Sequence, residues 1–125
     1  MDFLDVTYKA GGDLSTKQYY FVKFSAAKTV VVCTGTTDIP VGVLQNKPES
    51  GEAAVVRRFG RTKVIADAAL TYDDQVGTSA DGQAAPYLAG TDTTKRIMGD
   101  VETPADNAGE VAEIFLHGGN SSRAA

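Results

Sequence analysis

Thirteen glycines and four prolines punctuate this chain, and the segments between them are rich in valine, isoleucine, threonine, tyrosine and phenylalanine. Glycine and proline are costly inside regular elements and settle at turns, whereas β-branched and aromatic side chains suit a pleated strand. The pattern therefore predicts an all-β chain, a small barrel or sandwich of short antiparallel strands with an extended N-terminal arm. Tyr19–Phe24 and Thr29–Cys33 are the clearest runs, and the loop Ser25–Lys28 makes them a hairpin. Val41–Gln45 and Ala53–Phe59 follow, separated by turn chemistry at Lys47–Gly51. Arg61–Ala66 continues after Gly60 alone, so the two runs read as one long strand bent by a bulge. Asp67–Val76 carries helix formers behind an aspartate and is the one place where a helical turn is expected. Gly77–Gly82 reads as a turn, Gln83–Leu88 as a weak strand, and Lys95–Glu102 and Glu110–Leu116 as the closing strands. In the last of these Ala112, Ile114 and Leu116 alternate with Val111, Glu113 and Phe115, so the first set is expected in the core.

An internal echo supports related halves. Gly42-Val43-Leu44-Gln45, a turn with Pro48 and Gly51–Val56 match Gly99-Asp100-Val101-Glu102, a turn with Pro104 and Gly109–Ile114. Three parts are expected along the chain: an arm over residues 1–14, a β-domain over 15–117 and a flexible tail over 118–125. Phe3, Leu4, Val6 and Tyr8 make the arm apolar, and Gly11-Gly12 hinge it, so it packs either on its own domain or on a neighbour.

A chain of 125 residues suffices for one core without metal or disulfide staples. A single cysteine, Cys33, cannot bridge within the chain, and its thiol is expected to be inert. No apolar run approaches bilayer length. Acids at Asp2 and Asp5 stand where a secretory signal needs a basic start, which predicts a protein made in the cytoplasm and released, if at all, by lysis. The formal charge of −4 opposes a polyanionic partner. Arg57, Arg58, Arg61 and Lys63 are the local exception; a solvated strand is the first reading, an acidic protein surface the second and a phosphate backbone the last.

Residues fit for catalysis are few. His117 is the sole histidine, and no serine or cysteine has the glycine-flanked turn of a nucleophile. One histidine and one cysteine do not make a transition-metal site. Asp73-Asp74 and the pair Glu49 and Glu52 lack the spaced oxygens of a calcium loop. Ala10–Lys17 is reminiscent of a phosphate loop but lacks the glycine before the lysine and the helix behind it. Tyr19, Tyr20, Phe21 and Phe24 would alternate across a strand, so a base-stacking platform is disfavoured. The expectation is a non-enzymatic protein without cofactor, metal, membrane, nucleic acid or small-molecule substrate.

Gly42-Val43-Leu44, Gly51–Val55, Val64-Ile65-Ala66, Ala80–Ala84 and Gly109–Leu116, taken in order, resemble the capsid-cement, or head decoration, proteins of tailed phages, some of which carry a recombinase-like label. The likeness runs from about Gly11 to Leu116, and it departs at Asp67–Asp74, where the family has a glycine-rich stretch. The resemblance implies a β-barrel on the outside of an assembled head, often a homotrimer, with the major capsid protein as partner. Phe3, Leu4, Val6, Tyr8, Arg57, Arg58 and Arg61 are the candidate contact residues. A tail or baseplate component and a small carbohydrate-binding module, using Tyr20 or Tyr87, are the alternatives.

Overall fold

The computed structural model describes residues 3–87, 94–117 and 122–123, the last two by backbone alone. Among them no helix forms. The strands are β1 (Phe3–Ala10), β2 (Phe21–Ala26), β3 (Thr29–Val32), β4 (Gly42–Leu44), β5 (Ala53–Ile65), β6 (Gln75–Thr78), β7 (Ala84–Tyr87), β8 (Arg96–Ile97), β9 (Gly99–Thr103), β10 (Val111–Leu116) and β11 (Ser122–Arg123). Nine of them join one mixed sheet in the order β1-β3-β2-β4-β5-β10-β9-β6-β7, while β8 pairs with β11. A further pairing of β1 with β5 folds the sheet back on itself. The closure is partial, because β1 meets β3 only at Lys9 and Ala10. The result is sandwich-like and not a clean barrel.

Two apolar cores fill it. Phe21, Val43, Val64, Leu70, Ile114 and Leu116 belong to the larger one; Leu14, Val22, Val30, Leu44 and Val56 belong to the smaller. Adjacent residues Phe21 and Val22, and likewise Val43 and Leu44, enter opposite cores, so β2 and β4 form a wall buried on both faces. Ala112, Ile114 and Leu116 are fully buried, as their alternation predicts.

The expected long strand is continuous. β5 runs for 13 residues, roughly 40 Å at strand rise, and reaches both cores, the smaller with Ala54 and Val56 and the larger with Val64. Its register against β1 slips at Arg58, between Leu4↔Phe59 and Asp5↔Arg57. Gly60 follows with a φ of 103°, a backbone geometry that glycine supplies without strain. The arm residues Phe3–Ala10 therefore sit in the chain's own sheet, paired with β5 from Phe3↔Gly60 to Lys9↔Ala53.

The echo is geometric as well as sequential. Leu44 pairs with Val56, and its counterpart Val101 pairs with Ile114. A methyl on Gly42 would stand 2.2 Å from the Arg57 carbonyl oxygen, and one on Gly99 would stand 2.5 Å from the carbonyl of Phe115, the residue equivalent to Arg57. Both glycines let two backbones approach. In the two turns, Glu52 accepts the Glu49 N–H at 2.7 Å, and Glu110 accepts those of Asp106 and Asn107 at 2.8 and 3.1 Å.

Two expectations fail. Asp67–Val76 is not helical: Leu70 exchanges backbone hydrogen bonds with Ala105 and Asp67 donates to Ala84, so distant partners take the groups a helix would have used. Gln75–Thr78 is strand β6, although Gly77 signals a turn. That glycine serves a close crossing, since a methyl there would meet the Arg96 carbonyl at 2.1 Å. The hairpin exists with a shorter loop than expected, Ala27-Lys28. Of the tail 118–125, only Ser122 and Arg123 are described, and they pair with Ile97 and Arg96.

Gly42→Ala and Gly99→Ala should each lower stability by about 2 to 3 kcal/mol, read as a fall in the urea midpoint. Gly12→Ala, where an added methyl meets nothing within 4 Å, should leave it unchanged. Equal midpoints for all three would refute the close-approach account.

The backbone N–H groups of Asp106 and Asn107 hold the Glu110 carboxyl below its ordinary value of 4.5. A carboxyl lowered by folding binds fewer protons than it does unfolded. Its contribution is therefore complete above the ordinary carboxylate range and disappears as pH falls through the lowered value. Between about pH 5 and pH 2, Glu110→Gln should flatten the acid loss of urea stability relative to the parent.

Candidate interaction surface

The groups with chemical potential are accounted for by packing and pairing. Cys33 is wholly buried, and desolvation pushes its thiol up to about 12, against a smaller downward pull from the Thr78 side chain. Nε2 of His117 lies 2.9 Å from Oδ2 of Asp100, and the other oxygen of that carboxylate accepts a long bond of 3.4 Å from Gln75. Among the described residues no group of three or more histidines, cysteines or acids is placed to hold a metal ion. At Asp13 the resemblance to a phosphate loop dissolves into a local turn, where the carboxylate accepts the Ser15 N–H at 3.0 Å. Asp38 is desolvated, yet its carboxyl is lowered because Lys23 and the N–H groups of Thr34 and Gly35 bond to it.

Pairing of β1 with β5 brings together the two sets of candidate contact residues, which are some fifty positions apart in sequence. Arg57 makes a two-pronged bond to Asp5, Nε to Oδ1 at 2.8 Å and Nη2 to Oδ2 at 3.0 Å. Its guanidinium also lies 4.0 Å from the centre of the Phe3 ring, and Nη1 donates to the Arg61 carbonyl. Arg58 donates to the Tyr8 hydroxyl at 2.9 Å, and Arg61 pairs with Glu102 at 3.0 Å. Half of the cationic run is thus paired within the fold: Arg57 and Arg61 meet carboxylates, whereas Arg58 bonds a neutral hydroxyl and Lys63 meets no carboxylate among the described residues.

What stays open is apolar surface and backbone. Phe3 is 43% exposed, Leu4 49% and Phe59 41%. Leu4 stands across from Phe59, whose ring meets that of Phe115 edge to face at 5.5 Å. Val6 and Tyr8 are half-buried, Tyr8 packing on the smaller core and against Phe24 at 5.1 Å. The backbone of Lys9 donates toward β3, to the Lys28 carbonyl, while Ala10 donates toward β5, to Glu52. By strand alternation Thr7 and Asp5 turn their N–H and carbonyl groups the same way as Lys9. No strand among the described residues pairs with that edge from Phe3 to Tyr8.

The four aromatic residues Tyr19, Tyr20, Phe21 and Phe24 are dispersed, as their alternation along a strand predicts. Phe21 is core, Phe24 stacks on Tyr8, and Tyr19 packs against the larger core with a φ of 69°. That left-handed backbone is rare for a bulky residue and persists because Tyr19 donates to Leu44 and accepts from Ile65. Tyr19 lines two surface grooves, one of about 250 Å³ beside Arg61 and Lys63 and one of about 610 Å³ beside Tyr20 and Gln83. Tyr87 donates to the Thr78 carbonyl at 2.6 Å and flanks Gly77. Neither groove was visible in sequence, because each gathers side chains from separate turns with no local pattern.

The burial of Cys33 predicts that the folded protein reacts with a small aromatic disulfide at mild alkaline pH more than about a hundredfold slower than the urea-unfolded chain. Equal rates would mean that the thiol is accessible.

No family model matches the chain, and no curated protein matches it. Its structure is similar to the crystal structure of the N base of head fiber gp8.5 of bacteriophage phi29, with a TM-score of 0.67, 18% sequence identity, and coverage of 91% of this chain and 93% of that one. At this identity the likeness is one of fold.

Proposed function

We propose that this chain is a structural protein of a phage head, a decoration or cement protein that binds the outer surface of the assembled shell and bridges coat subunits. The observation that carries the reading is the fold likeness to a head fiber base across 91% of the chain. The order of sequence segments that resembles capsid-cement proteins supports it independently. The fold supplies a means of docking. The open edge of β1 offers backbone donors and acceptors to an extended coat segment, and the exposed side chains of Phe3 and Leu4 add apolar contact beside it. Asp5 and Arg57 satisfy each other's charges, so this edge is available for strand addition without leaving a buried charge unpaired.

Bridging would come from multiplicity. In a homotrimer three such edges reach three coat subunits, and modest contacts combine into firm attachment because the second and third engagements are intramolecular. The protein needs no catalytic centre for this work. It needs a rigid body and a docking strand held in register, and β5 provides both.

Deleting β1 would remove a core strand, so the informative variant is a surface one. Leu4→Asp should lower the copy number on purified heads roughly tenfold while leaving the thermal midpoint within a few degrees of the parent. Undiminished occupancy would exclude the β1 edge as the docking element. Heads that carry none of the polypeptide, or copy numbers typical of a tail, would sink the head assignment itself.

A further inference from the structure

The larger groove is bordered by the connection between β1 and β2, the end of β5 and the start of β10, and the β1 docking edge does not use it. Its lining is amphipathic. Ile65 and the exposed Val111 supply apolar surface, Thr16, Gln83 and Lys47 supply polar groups, and Tyr20 supplies an aromatic ring. The Tyr20 hydroxyl is held by Nε2 of Gln83 at 3.0 Å, and the Lys17 ammonium lies 5.0 Å from the centre of its ring. The ring is fixed before any ligand arrives, which reduces the ordering cost of binding. Lys47 and Thr16 make no side-chain hydrogen bond among the described residues, and the amide oxygen of Gln83 has no partner there.

No carboxylate lines the groove, so a cationic ligand finds no counter-charge. A purely apolar ligand would strip water from Gln83, Thr16 and Lys47 without replacing their hydrogen bonds. The chemistry that fits is a ligand with an apolar face and a rim of hydroxyl and carbonyl groups. A pyranose has that form, and the volume suits a short saccharide.

We propose that this groove is a saccharide-binding site, with Tyr20 and Val111 against the C–H face of a sugar ring and with Gln83, Thr16 and Lys47 hydrogen-bonding its hydroxyl or N-acetyl oxygens. The site is separate from the head-docking role and does not depend on it. A decoration protein with such a groove would bind glycans from the particle surface.

The test is a titration of the isotope-labelled full chain with chitotriose and, separately, maltotriose, each up to about 10 mM, followed by backbone amide shifts. Saturable shifts confined to the surroundings of Thr16, Tyr20, Lys47, Gln83 and Val111 are expected with at least one of the two sugars. Lys47→Met, at an exposed position that cannot compromise the core, and Gln83→Ala should each weaken binding roughly fivefold or more. Tyr72→Ala, in an exposed turn outside the groove, should have no effect. The proposal fails if neither sugar shifts these amides, if the shifts map elsewhere, or if both groove variants bind as the parent does.

Discussion

Phe21 and Val22 are chain neighbours that point into different cores, and so are Val43 and Leu44. Because successive strand residues face opposite ways, a run apolar at every position can be satisfied only where both sheet faces are covered. That requirement organises the molecule. β2 and β4 have to be interior walls, which forces the sheet to fold around them. β5 has to be long enough to serve the cores on either side. The glycines at 42 and 99 follow from the same demand, since backbones packed this tightly leave no room for a β-carbon.

The surface inherits its properties from that interior. β5 carries buried residues at its even positions except Arg58, where the register slips, and Arg57, Phe59, Arg61 and Lys63 at odd ones, so the strand that joins the cores also displays the cationic and aromatic side chains. Pairing with β1 sets Asp5 against Arg57 and Phe3 over its guanidinium. The register that neutralises the arginine is the one that leaves Leu4 and the far edge of β1 exposed. Core and candidate contact surface are thus two faces of a single pairing, and a slip of one residue would exchange them.

Local signals carried much of this into the sequence. The β2–β3 hairpin, the continuous β5 and the duplicated turns at Pro48 and Pro104 were legible because strand alternation and turn residues lie within a few positions of each other. Asp67–Asp74 was not, because Leu70 is fixed by Ala105 and Asp67 by Ala84, and no periodicity announces a distant backbone partner. Gly77 misled for a related reason: a glycine needed for a close crossing looks the same as one needed for a turn. The arm was legible as apolar but not as to its destination, since Phe3, Leu4, Val6 and Tyr8 would suit a neighbour's surface as well as their own sheet. Tyr20 and Gln83, 63 positions apart, meet only through the tertiary fold.

The two ends of the sheet are not alike. At β7 the outer margin is occupied near Ala84 by Ala66 and includes Pro86, which has no N–H to offer; at β1 no described strand pairs with it from Phe3 to Tyr8. A molecule with one receptive margin and one blunted margin can take up a single added strand and cannot pass the pairing on. Strand addition at β1 would therefore terminate instead of propagating, which bars edge-to-edge growth into fibres.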